Sequence, residues 1–142
     1  LNPEQSRTEE MDADLHATDA IKSGFAVDHD RKPGSKPSSN ELELERRALA
    51  IGVGLIWVAV YEDTRTQSSE MYPPIAERMF RCLDGLGLAD DSAALEILSD
   101  FVKAWIDPEG EWPAKSRAEA TAKASMDEAC VRLDEYARKA KS

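Results

Sequence analysis

Histidine and cysteine are the scarcest chemistry-bearing residues of this chain, two of each, and their spacing limits what they can do. His16 and His29 form no HExxH pair, and Cys82 and Cys130 form no CxxC, so neither type supplies the spacing of a zinc centre or a dithiol redox site. No Glu-x-x-His occurs, as a carboxylate-bridged di-iron bundle would need. Asp28-His29-Asp30 offers three ligands, but within a Pro/Gly/Ser-rich stretch that has nothing to orient them. Gly52-Val53-Gly54 opens like a dinucleotide fingerprint, yet Trp57 stands at the third glycine position and the run is apolar throughout. Gly85-Leu86-Gly87 reads as a helix stop. The sequence therefore assigns no catalytic residue, no metal ligand and no cofactor. A Cys–His pair would have to bring a histidine from the N-terminal region to a cysteine on an apolar stripe, where burial raises the thiol pKa and blunts it.

Acidic side chains are the abundant feature. Twenty-eight Asp and Glu face 18 Lys and Arg, a formal net charge of −10. That sign repels nucleic-acid phosphates and anionic membrane surfaces and suits a partner protein with a basic face. The charge is concentrated between Ser68 and Gly110, where nine acids meet three bases. Asp90, Asp91, Glu96 and Asp100 lie on or just before one helix, and they are the candidate contacts for such a partner. Trp112, in the proline-flanked loop Asp107-Pro108-Glu109-Gly110-Glu111-Trp112-Pro113, is either an exposed anchor that a partner buries or a lid over the edge of the core. Leu15 and Phe25 complete the candidate partner-binding set from the N-terminal segment.

These residues need a scaffold, and the patterning is helical. Ala48 to Tyr61 is an uncharged apolar run, 14 residues long and short of the ~20 a helix needs to span a bilayer. Asn40 with Glu43 resembles a capping box, so a helix is expected over about 41–63 with this run as its centre. A strand over Leu55–Tyr61 is the rival reading, since the segment is β-branched and aromatic and follows two glycines, but it would have no sheet to join. In the helical reading Ala48/Gly52 and Ala50/Gly54 make two small-residue notches for close helix approach. A helix apolar on all sides must be covered: either the following helices and the N-terminal segment enclose it, or one side is left for a partner.

The remaining helices are amphipathic. Asn2-Pro3-Glu4-Gln5 supplies an N-cap, a proline at the first helical position and a Gln three residues on, so residues 3–23 should form a helix with Met11, Leu15, Thr18, Ile21 and Phe25 as a thin stripe. Asp28 to Asn40 is too rich in Pro, Gly and Ser to order itself and reads as a linker. A short helix over 74–84 has Ile75, Ala76, Met79, Phe80 and Leu83 inward. Another over 92–106, capped by Asp90 or Asp91, carries the stripe Ala94, Leu95, Ile97, Leu98, Phe101, Val102 and Trp105. A capping box at Ser116/Glu119 starts the last helix, over 117–139, with Met126, Ala129, Cys130, Leu133 and Tyr136 inward.

The fold class expected is all-α: a small bundle of about five helices around a central apolar helix. Its domain organisation is an acidic N-terminal helical arm (1–25), a flexible linker (26–40) and a bundle domain (41–142). The function expected is a non-enzymatic protein–protein interaction module (adaptor, chaperone or inhibitor) that presents an acidic surface to a basic partner protein. An enzyme built on carboxylates, with or without a metal, is an alternative, as is a structural subunit of a homo-oligomer, a homodimer being the simplest. The two cysteines make no disulfide framework and read as core residues of a reducing, cytoplasmic compartment. Residue 1 is Leu, so an N-terminal segment removed or missing is compatible with the sequence.

Overall fold

The computed structural model describes residues 2–22, 31–32, 34–63, 75–113 and 120–141. Five helices make up its regular structure: α1 (Pro3–Lys22), α2 (Ser39–Asp63), α3 (Ile75–Gly85), α4 (Ala93–Ile106) and α5 (Ala122–Lys141). Among the described residues no strand occurs, and α2 continues as helix through Gly52 and Gly54 to Asp63. The strand reading of Leu55–Tyr61 is thus overturned. A lone strand would find no partner among the described residues, whereas the helix makes its backbone bonds within itself apart from those at its ends.

The ends of the helices follow their caps. At α1 the Asn2 side chain accepts from Gln5 N–H at 2.8 Å, and Asn2 N–H donates back to the Gln5 side chain at 3.3 Å. α2 starts two residues earlier than the Asn40/Glu43 pattern suggested, because Ser38 is the cap: its Oγ accepts from Glu41 N–H at 3.2 Å. α4 is capped by Ser92, whose Oγ accepts from Leu95 N–H at 3.2 Å, not by Asp90 or Asp91. The Glu45 carboxylate, from α2, accepts from both Ser92 Oγ and Ala94 N–H at 2.8 Å. An anion from one helix therefore sits on the positive end of another. α5 begins at Ala122 behind Thr121, whose Oγ1 accepts from Ala124 N–H at 3.1 Å. The Ser116/Glu119 box lies outside the described residues, and Ala120 and Thr121 are not helical. Gly87 (φ +63°) and Gly110 (φ +67°) take left-handed conformations that close the turns after α3 and α4.

One core joins four helices: Leu44, Ala48, Leu55 and Ala59 of α2, Met79, Cys82 and Leu83 of α3, Leu95, Leu98 and Val102 of α4, and Met126, Ala129, Cys130 and Leu133 of α5. Leu86 and Leu88 fill it from the α3–α4 turn. The amphipathic reading of α5 holds in full, with half-buried Tyr136 edge-on to Trp105 at 5.5 Å between ring centres. In α3 and α4 three residues assigned inward, Phe80, Ile97 and Phe101, turn outward. They stand at the edge of an apolar arc whose middle is already filled by Met79, Leu98 and Val102.

α2 crosses α4 at its first small-residue notch. A side-chain carbon at Gly52 would come within 2.9 Å of Leu98 Cγ and closer still to both its methyls, so only glycine admits Leu98 there. The second notch does the opposite. Nothing lies within 4 Å of a carbon placed at Gly54, and Ala50, Val53, Trp57 and Tyr61 on the same side are exposed, Trp57 by 73%. Among the described residues the helix is covered on one side only, by α1, α3 and α4.

α1 packs on α3 chiefly through polar contacts. Arg78 grips the Asp14 carboxylate with two bonds of 2.8 and 3.0 Å and reaches Glu10 at 3.5 Å. Thr18, buried, rests on Gly85 and donates its hydroxyl to the Asp14 carbonyl at 2.8 Å. The described part of the segment read as a linker is held at Arg31, which bridges Glu41 at 3.0 Å and Asp91 at 2.9 Å.

Candidate functional site

The outer face of α4 brings two of the sequence-derived candidates together. Glu96 and Asp100, one helical turn apart, are both exposed, and neither carboxylate takes a hydrogen bond or ion pair from a described residue. Beside them on the same face lie Ile97 and Phe101, 40% and 49% exposed. The helix thus offers two free carboxylates flanking an apolar pair. Spacing alone had placed Ile97 and Phe101 in the core; their part in this face was the residue signal that sequence reasoning missed.

The other candidates lie apart. Asp91 is occupied inside the chain: Arg31 clamps it with bonds of 2.9 and 3.2 Å, and Gly34 N–H donates to it at 3.0 Å. These contacts, Arg31 first, hold its carboxyl below the usual carboxylate range. Asp90 is exposed, and its backbone carbonyl accepts from Lys123 N–H at 3.3 Å, tying the α3–α4 turn to α5. Trp112 is half-buried, with Arg132 4.6 Å and Lys103 5.9 Å from its ring centre, both within cation–π range. Its backbone N–H donates to Asp107 at 3.2 Å. Leu15 is exposed on the solvent side of α1. Phe25 lies outside the described residues.

The groups that could do covalent chemistry are blunt. Burial pushes the Cys82 thiol up, and it pushes Cys130 up to about 12, so both stay protonated at neutral pH. Both are free and buried. His16 is exposed on α1, on the side away from Asp14 and Thr18, while His29 falls outside the described residues. Among the described residues no group of three or more His, Cys, Asp and Glu is placed to hold a metal ion. A crevice between α3 and α5 is lined by Phe80, Leu83, Leu95, Met126 and Cys130 and edged by Asp84, Lys123 and Asp127. It holds about 20 Å³, room for one or two water molecules. Among the described residues no helix is long and apolar enough to cross a membrane.

A helical bundle with polar clamps at its joints and an acidic outer helix defines a class, not an activity. Sequence comparison narrows it: the model of the family described as Peptidase U49 matches residues 1–98. The chain belongs to the Peptidase U49 family. The matched residues contain α1, α2 and α3 and the first turns of α4, including Glu96; Asp100, Phe101, Trp112 and α5 lie beyond them. No curated protein and no solved structure matches the chain.

Proposed function

We propose that this chain is a non-enzymatic protein–protein interaction module that takes a basic partner protein on the outer face of α4. The single observation that carries the reading is the pairing of Glu96 and Asp100, exposed and without partners among the described residues, with exposed Ile97 and Phe101 on one helix. Apolar side chains supply contact area, and the flanking carboxylates select a cationic surface and speed its approach. An adaptor, a chaperone or an inhibitor would all use such a face.

The experiment is capture of partners by the immobilised chain from a lysate of its host at about 50 mM and about 500 mM salt, beside the Glu96→Lys/Asp100→Lys variant. Exposed charges are screened over distances of about 4 Å at the higher salt. A basic protein retained by the wild type at low salt, and lost from the variant, is the expected result. Equal capture by both chains would overturn the reading.

The family name favours a second reading, in which the chain itself hydrolyses peptide bonds through carboxylates, with or without a metal. That reading requires acids converging on a concave site. Among the described residues Glu96 and Asp100 lie on an outward helix face, and the crevice edged by Asp84 and Asp127 has no room for a peptide. Release of fragments from unfolded protein substrates, with and without divalent cations, tests it; the recognition reading expects none.

A further inference from the structure

The side of α2 that no other described helix covers has a different chemistry from the α4 face. Arg46, Ala50, Val53, Trp57 and Tyr61 follow one another at spacings of three and four, so they form one stripe opposite the buried Leu44, Ala48, Leu55 and Ala59. The stripe has no acid along its exposed length. It begins at Arg46, 83% exposed and in loose 3.8 Å contact with Glu43, and Arg47 follows it; the helix ends at Glu62 and Asp63. A basic partner would meet Arg46 and Arg47 at one end of this stripe, which argues against the occupant proposed for α4.

The stripe is complementary to itself when reversed. Around a two-fold axis between Val53 and Gly54, an antiparallel second copy sets Trp57 opposite Ala50, Val53 opposite Gly54 and Arg46 opposite Tyr61. The largest exposed side chain of each helix then meets Ala50 in the notch of the other, beside Gly54, where a carbon placed on the glycine meets nothing within 4 Å. The basic Arg46–Arg47 end of each helix comes beside the C-terminal, negative end of its mate's dipole, and the two dipoles oppose. In a parallel pair Trp57 would meet Trp57 and Arg46 would meet Arg46. We propose that the exposed Ala50–Val53–Gly54–Trp57 stripe of α2 is a self-association surface, on which a second copy of this chain packs antiparallel.

The area sets the strength. Trp57, Tyr61 and Val53 expose together on the order of 350 Å², taking roughly 150–250 Å² for a large side chain. Two such stripes fall short of the about 1,200–2,000 Å² of durable assemblies, so the dimer is weak and transient.

Sedimentation over about 2–500 µM, combined with oxidative cross-linking, tests the pair. Wild-type chain shifts from monomer to dimer across that range. Trp57→Glu and, as a second variant, Val53→Glu remain monomeric with unchanged helical circular dichroism, since both positions are exposed. Gly54→Cys, beside the axis, forms a disulfide-linked dimer at the high concentration. Arg46→Cys does not, because an antiparallel pair holds its two copies about 22 Å apart along the axis. A wild-type chain that stays monomeric throughout overturns the proposal. So does dimerisation that survives both glutamate variants, or cross-linking at residue 46, which marks a parallel pair. Binding of the stripe to neutral lipid vesicles by a chain that never dimerises would assign the face to a membrane surface and overturn it equally. The α4 charge reversals leave the association unchanged, so this test is independent of the partner-capture result.

Discussion

Two glycines on one helix, two residues apart, carry opposite predictions. Gly52→Ala and Gly54→Ala make the same chemical change inside α2, and each gains up to about 1 kcal/mol of helix propensity. Only the first meets an obstacle. Its new methyl falls within 2.9 Å of Leu98 Cγ and closer to both its methyls, and Leu98 is fully buried with no solvent to swing into. Overpacking a filled core costs about 1–3 kcal/mol, so Gly52→Ala comes out neutral to about 2 kcal/mol destabilised. Gly54→Ala, with nothing within 4 Å, keeps the propensity gain and is stabilised by up to about 1 kcal/mol. The difference between the two, about 1–3 kcal/mol, isolates the α2–α4 contact and corresponds to a gap in Tm of about 3–10 °C for a domain of this size. Urea unfolding followed at 222 nm, at about 2 µM chain so that the weak self-association proposed for α2 is negligible, reads both values. Equal shifts for the two variants would refute the close crossing of α2 over α4. Gly52→Leu, which adds three carbons more, is expected to be worse than Gly52→Ala.

Three further outcomes follow from the clamps and the thiols. Asp14→Asn weakens the grip of Arg78, so amides of α1 should exchange with solvent faster while those of α4 and α5 keep their protection; unchanged exchange over residues 4–21 would mean that the ion pair does not hold α1 on α3. The Asp91 carboxyl is held below its ordinary value by Arg31 and Gly34, so the stability it contributes is present above about pH 4 and is lost as pH falls through its lower folded-state value. Asp91→Asn should therefore be less stable than wild type at pH 6, by a margin that shrinks as pH falls below about 4; a constant difference across pH would contradict that linkage. Cys82 and Cys130 are both buried with raised thiol pKa values, so Ellman's reagent at pH 8 should find no fast-reacting thiol in the native chain and two in denaturant; one fast thiol in the native state would contradict the packing of α3 or α5.

Most of the bundle was legible in local patterns. Asn2/Gln5 gave the start of α1, and spacings of three and four gave the inner face of α5 residue by residue and that of α4 except at Ile97 and Phe101. Such patterns work because each of those helices has a polar side that says where the core is not. α2 offers no such contrast. Its apolar residues run all round, so nothing local states that Ala48, Gly52, Leu55 and Ala59 turn inward while Ala50, Gly54 and Trp57 face water. That choice is made by Leu98 entering at Gly52 and by Glu45 reaching across to cap α4. The clamps were equally hidden. Arg78 with Asp14 and Arg31 with Asp91 join residues about sixty positions apart, and no spacing rule links such pairs. At the α4 face the acids were visible as an acidic run, but Ile97 and Phe101 looked like core because they border a stripe wider than the core needs. Trp112 was readable as either an anchor or a lid. Its neighbours Lys103 and Arg132 come from two helices, and only the packing of α4 on α5 brings them to the ring.

We propose that this member of the Peptidase U49 family recognises a protein through α4 without cutting it. The intact mass of the partner captured on the wild-type chain tests that most directly. The account predicts a basic protein recovered at full length after prolonged incubation with the wild type, and no such protein on Glu96→Lys/Asp100→Lys. Recovery of discrete fragments of the partner on the purified wild-type chain would contradict it.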